Sequence, residues 1–178
     1  MKIFGVEDLY KKLFFPELES RRIEKDYSNT TNITLCSKCG GACCKMCGCH
    51  FSPDDFEDLS FEGLKKELLK GYISIDYVDE EIIYSDIGVY ILRTRNQGAP
   101  IVDMGFRNDT PCILLTEEGC KLDYEKRPTG GKLLIPDSNF KCFSRYNIRD
   151  CCYEWKPYKN VLYKLTEFFE KKDISCSL

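Results

Sequence analysis

Six cysteines and the chain's single histidine fall within fifteen consecutive positions, CSKCGGACCKMCGCH, residues 36–50. The spacing C-x-x-C-x-x-x-C-C-x-x-C-x-C crowds Cys36, Cys39, Cys43, Cys44, Cys47 and Cys49 together, so any fold must bring several thiols into one neighbourhood. A C-x-x-C pair can converge on one ion because a tight turn points both side chains inward. Gly40, Gly41 and Gly48 supply the permissive backbone such turns need. No acidic residue lies in the stretch, and Lys38 and Lys45 offset part of the charge that several thiolates would leave on a metal. A tetrahedral ion needs only four ligands, so six thiols imply two metals, a cluster, or cysteines with another task. The adjacent side chains of Cys43 and Cys44 diverge in most backbone conformations, which makes a shared ion awkward for them. One isolated cysteine is ordinarily a small buried hydrophobe; six so close together read as metal or metal-cluster ligands.

The compartment decides between metal and disulfide. The start of the chain, MKIFGVEDLYKKLFFPELES, is broken by Glu7, Asp8, Lys11 and Lys12 and does not read as a signal peptide. No apolar run approaches the roughly 20 residues that span a bilayer. The expected location is therefore the cytoplasm, where thiols stay reduced and Cys-rich spacing favours metal ligation or redox work. A chain of 178 residues, 43% hydrophobic and 31% charged, can also bury a core without disulfide staples. Its net charge of −3 argues against general nucleic-acid binding, which needs a basic face.

Periodicity predicts an α+β fold: a small single domain with a short antiparallel sheet or hairpins, flanking helices and a metal-organised cysteine-rich loop. The organisation expected is an N-terminal helical arm over 1–32, a cysteine-cluster metal-binding domain over 33–156, and a C-terminal helix over 157–178 packing on that domain. FSPDDFEDL reads as a helix start, with Ser52 as cap and Pro53 in the first position. SFEGLKKELLKG reads as a second helix capped by Ser60, with Leu64, Leu68 and Leu69 as its buried stripe and Gly71 as its stop. Residues 72–122 turn to strand character, with a turn at Asp86–Gly88, a short candidate strand in GAPIVDM, and a tight hairpin in CILLTEEGCKL. Residues 125–142 read as a Pro/Gly-punctuated loop region. In KPYKNVLYKLTEFFEKK, Val161, Leu162, Leu165, Phe168 and Phe169 fall on one side of a helix.

Outside the cluster, Cys112 and Cys120 flank the hairpin and form a candidate second ligand pair, and Cys142 follows the loop region as a further candidate. Cys151, Cys152 and Cys176 read as packing or unconstrained thiols. His50 reads as a surface residue or as a neighbour of the ligands rather than a ligand itself. RPTGGKLL fails the phosphate-loop template, because Lys126 stands where its first glycine belongs and Leu133 replaces the Ser/Thr. Arg93 and Arg95 close an apolar strand, and solvated strand-end arginines are the expectation.

The ordered set CSKCGGACC, FSPDDF and PCILLTEEGCKLDYEKRP, over about residues 36–142, resembles the CxxCxxCC-type cysteine-cluster proteins, also called the YkgJ family, described as a zinc- or iron-chelating domain. The resemblance implies that Cys36, Cys39, Cys43 and Cys44 are ligands, that Cys112 and Cys120 occupy the later cysteine positions, and that Arg127 and Pro128 are the family's Arg-Pro pair. The family commonly places a cysteine and an arginine where this chain has Gly131 and Lys132; Cys142, or the extra Cys47 and Cys49, would have to substitute. Some relatives carry the domain within a flagellin lysine methylase, which implies iron–sulfur and S-adenosylmethionine chemistry, yet no separate cofactor-binding fingerprint stands in this sequence.

Three functions follow as expectations. The first is a metal-binding cysteine-cluster protein whose zinc, iron or iron–sulfur centre organises the fold. The second is a metal- or cluster-dependent enzyme modifying a peptide or protein side chain. The third is a thiol-based metal-delivery or redox-sensing protein. Four-thiolate sites serve both metals, and base rates alone favour zinc. A protein or peptide is the partner class left open, and the oligomeric state is not legible.

Overall fold

The computed structural model describes residues 40–46, 48–79, 88–104, 110–135 and 142–175, together with Lys25, Tyr27, Lys38 and Asn139. The centre is an antiparallel pair, β1 (Ile73–Val78) and β2 (Val89–Thr94), in register from Ile73↔Thr94 to Val78↔Val89. Opposed residues share a face, so Ile75, Leu92, Tyr77 and Tyr90 lie on one side and Asp76, Ile91 and Arg93 on the other. Both strands are buried along nearly their whole length. Of the turn expected at Asp86–Gly88, all but Gly88 lies outside the described residues.

Two irregular segments widen this pair. Residues 101–103 run beside β1, with Ile75 donating its amide to Ile101 and accepting from Asp103. The candidate strand in GAPIVDM is thus reduced to a single parallel bridge, Ile75↔Val102. On the other edge, Phe51 donates to the carbonyl of Leu92 and Thr94 donates to that of Cys49. The last residues of the cysteine cluster are therefore laced onto β2.

Helices close the core. α1 (Ala42–Met46) lies in the cysteine cluster, and α2 (Phe61–Leu68) is capped by Ser60, whose hydroxyl accepts from Gly63. Leu64 and Leu68 of α2 are fully buried, whereas Leu69 is 57% exposed. Leu69 follows the last helical turn, which carries it out of the predicted stripe. The helix start predicted at FSPDDF is a single 3-10 turn, Pro53–Asp55, closed by a reciprocal capping box between Ser52 and Asp55.

Two small ladders follow: β3 (Leu115–Thr116) with β4 (Gly119–Cys120), and β5 (Leu134–Ile135) with β6 (Phe143–Ser144). Between them the predicted loop region holds a short helix, α3 (Thr129–Lys132). α4 (Ile148–Trp155), capped by Asn147, and the long α5 (Lys159–Ser175) pack on β2. Trp155, Leu162, Leu165 and Phe169 are buried in the core with Leu64, Ile75 and Leu92. No helix among the described residues is long and apolar enough to cross a membrane.

Lys25 is tied to this body by its side chain. Its ammonium contacts Asp54 at 2.6 Å, Glu154 at 2.9 Å and the Ser52 hydroxyl at 2.6 Å. Glu154 also accepts from Ser52 and from the Tyr146 hydroxyl, which ties α4 to the Ser52 cap. Apart from Lys25 and Tyr27, the arm predicted over 1–32 lies outside the described residues.

Candidate metal centre

Two cysteine-bearing segments meet around the end of β2, and backbone hydrogen bonds explain why. Past Thr94 the chain continues to Asn96 and pairs there with the segment carrying Cys112: Ile113 donates to Arg95, and Gln97 donates to Pro111. Cys49 hangs from Thr94 and Ile113 from Arg95, so successive residues of one strand end support the cluster and the hairpin. The Cys112 amide then donates to the carbonyl of Cys44 at 2.7 Å. The hairpin is thereby strapped directly onto α1.

The sulfur of Cys112 is buried and accepts the amide of Leu114 at 3.4 Å, while the Cys112 carbonyl accepts from Leu115 at 3.0 Å. An N–H aimed at sulfur is the kind of partner that orients a ligating cysteine. Leu115 packs its side chain over Gly41; a β-carbon on that glycine would fall 2.4 Å from Leu115 Cδ1. Gly41 also holds φ +73, so the position requires glycine twice over. Cys120 pairs opposite Leu115 across β3–β4 and is partly exposed, as are Cys44, Cys49 and Cys142.

Cys49 has a second neighbour. A β-carbon on Gly131 would stand 3.5 Å from the Cys49 sulfur and 3.7 Å from its β-carbon. The segment around Gly131 is drawn there by Asp55, whose carboxylate accepts from the Thr129 amide at 2.8 Å, the Thr129 hydroxyl at 2.9 Å and the Ser52 amide at 2.8 Å. Gly130 donates to the His50 carbonyl at 2.9 Å, so close that a β-carbon on it would stand 2.9 Å from that oxygen. FSPDDF and RPTGG thus occur together because one clamps the other. Asp55 and Thr129 are site-building residues that spacing alone did not single out; Gly48, expected to ease a turn, is instead not at positive φ, and its missing side chain leaves room for Thr94.

The charged groups here are structural. Arg93, expected at the solvent, is 1% exposed. Its guanidinium donates to Asp76 at 2.9 Å, to Asn96 at 3.1 Å, to the Thr94 carbonyl at 3.2 Å, and to Asp103. The register that puts Arg93 and Asp76 on one sheet face supplies the partners that made burial affordable. His50 bridges to Arg93 through its backbone, and burial with the nearby guanidinium lowers its pKa to about 4, leaving a neutral imidazole at pH 7. Cys151 and Cys152 are core residues: burial raises the pKa of both thiols, that of Cys152 to about 12.

Among the described residues no three of His, Cys, Asp and Glu converge at metal-binding spacing. Cys36, Cys39, Cys47 and Cys176, and the side chain of Cys43, lie outside the described residues. The described thiols are of the chemical type a thiolate centre uses, and the Cys112–Cys44 backbone bond joins two of the segments that carry them. Comparison with protein-family models, curated proteins and solved structures finds no match.

Proposed function

We propose that this protein holds a thiolate-bound metal centre, zinc or iron with or without sulfide, and that the centre organises the cysteine-rich segments. Cys36, Cys39, Cys43 and Cys44 would supply the first ligands, Cys112 and Cys120 the second set from the hairpin, with Cys49, Cys47 and Cys142 as further candidates. The observation that carries the reading is the Cys112–Cys44 hydrogen bond, combined with the Leu114 amide on the Cys112 sulfur. A bound metal would supply a cross-link between the cluster and the hairpin. Structural zinc contributes about 10–16 kcal/mol apparent in small finger peptides, enough to govern such a region.

The test is metal and acid-labile sulfide analysis, with an absorption spectrum, on protein purified without oxygen. Stoichiometric zinc in a colourless sample, or iron with a brown chromophore, supports the reading. Protein purified without oxygen that is free of both metals overturns it. The partial exposure of Cys44, Cys49, Cys120 and Cys142 favours metal delivery as the second reading, for which the metal must exchange readily with a chelator.

A further inference from the structure

At the end of the β1–β2 pair that leads into their connection, three tyrosines form a ladder that the metal reading does not use. Tyr77 and Tyr90 oppose each other across the strands with ring centroids 5.0 Å apart, and Tyr90 meets Tyr163 of α5 at 6.2 Å. The backbone is cut to seat them: a β-carbon on Gly88 would fall 2.2 Å from the Tyr77 hydroxyl and 2.3 Å from its ring. Tyr163 is 49% exposed and Tyr77 and Tyr90 are half-buried, so aromatic surface reaches solvent where a core edge would end in aliphatics.

Two carboxylates of α5 stand beside the ladder. Glu167 and Glu170 follow Tyr163 by four and seven residues, on the same side of α5. Glu167 accepts the Tyr163 hydroxyl at 3.4 Å, and both carboxylates stand close enough to Tyr90 to add to the burial that raises its pKa. Asp79 continues β1 just past the tyrosines. Lys159, one turn before Tyr163, and Lys164 and Lys171 are exposed lysines of the same helix.

From this geometry we infer that Tyr77, Tyr90 and Tyr163, with Glu167 and Glu170, form a docking surface for a lysine- or arginine-bearing segment of a partner protein. Ring faces attract cations, more strongly as the cation is desolvated, and tyrosine gives contact area at low entropic cost. The two carboxylates draw the cation in and exclude phosphate-bearing partners.

The experiment titrates the full, metal-loaded chain with the peptide acetyl-Lys-Arg-Lys-Arg-Lys-amide by calorimetry, in low and physiological salt. Saturable binding is expected, weakened about tenfold by Tyr163→Ala, partly kept by Tyr163→Phe, and reduced several-fold by Glu167→Gln. Tyr153→Ala, at another exposed tyrosine, serves as the control and is expected to leave affinity unchanged. No saturable binding, equal losses in Tyr163→Ala and Tyr153→Ala, or equal binding of an all-glutamate peptide would each overturn the proposal.

Discussion

The sulfur of Cys49 faces Gly131, 3.5 Å from where a β-carbon at that position would stand, and the Cys49 β-carbon is 3.7 Å from the same point. Two cysteine β-carbons joined by a disulfide are typically about 3.5–4.5 Å apart. Gly131 is also not one of the glycines held at positive φ, so any side chain fits its backbone. Gly131→Cys is therefore expected to form a disulfide with Cys49 on mild oxidation. Non-reducing peptide mass mapping reads it directly. Survival of both thiols under oxidant would place Cys49 elsewhere.

Gly48 makes the contrasting case. A β-carbon there would fall 2.0 Å from the Thr94 hydroxyl and 2.1 Å from the Thr94 carbonyl, and the carbonyl belongs to backbone that cannot swing away. Gly48→Ala is expected to cost about 1–3 kcal/mol, the usual range for overpacking. Gly131→Ala, in ordinary contact, should stay within about 0.5 kcal/mol of the parent. Urea unfolding of the two variants decides it: equal midpoints would mean that β2 and the 48–51 segment are not pressed together.

Arg93 is held by Asp76, Asp103 and Asn96 in one buried network. Removing the cation leaves two carboxylates buried and uncompensated, so Arg93→Leu is expected to destabilise by about 3–5 kcal/mol. The triple change with Asp76→Leu and Asp103→Leu removes the stranded charges and should recover most of that loss. If the single variant melts like the parent, the network contributes nothing to the fold.

Local signals were legible in the sequence where the cause was local. The cap at Ser60, the stripe of Leu64 and Leu68, the hairpin turn near Gly119 and the apolar side of the last helix rest on neighbours a few residues away. The fate of Arg93 was not legible, because its partners are fixed by strand register and by a segment ten residues on. Leu69 misled because helical spacing continues past the point where the helix stops. For the candidate site, cysteine spacing marked the hairpin as a second source of thiols. The agents that assemble the described part are a carboxylate, Asp55, and three tight glycines, residues that carry no metal-ligand pattern.

Asp55 tests that assembly. Its carboxylate accepts three hydrogen bonds, from Ser52 and twice from Thr129, and lies 3.8 Å from the Lys132 ammonium. Asp55→Ala strands the buried Thr129 groups and should cost about 2–3 kcal/mol. It should also slow formation of the disulfide to Cys49 in the Gly131→Cys background, since the clamp no longer positions α3. Unchanged cross-linking in the double variant would assign the positioning of Gly131 to the Gly130–His50 backbone bond alone.

The buried thiols of α4 predict how stability responds to alkali. An exposed cysteine titrates near pH 9, whereas burial pushes Cys152 to about 12 and Cys151 well upward. Between those pH values the unfolded chain has released protons that the folded chain still holds. Rising pH therefore favours unfolding, and below pH 9 these groups leave stability unchanged. Each thiol should steepen the loss by on the order of 1 kcal/mol per pH unit. Urea midpoints at pH 8 and pH 10.5 measure the fall, and Cys152→Ala should make it shallower whatever its effect on stability at pH 8. An identical fall in parent and variant would mean that Cys152 titrates as an exposed thiol, which is incompatible with its place against β1 and β2.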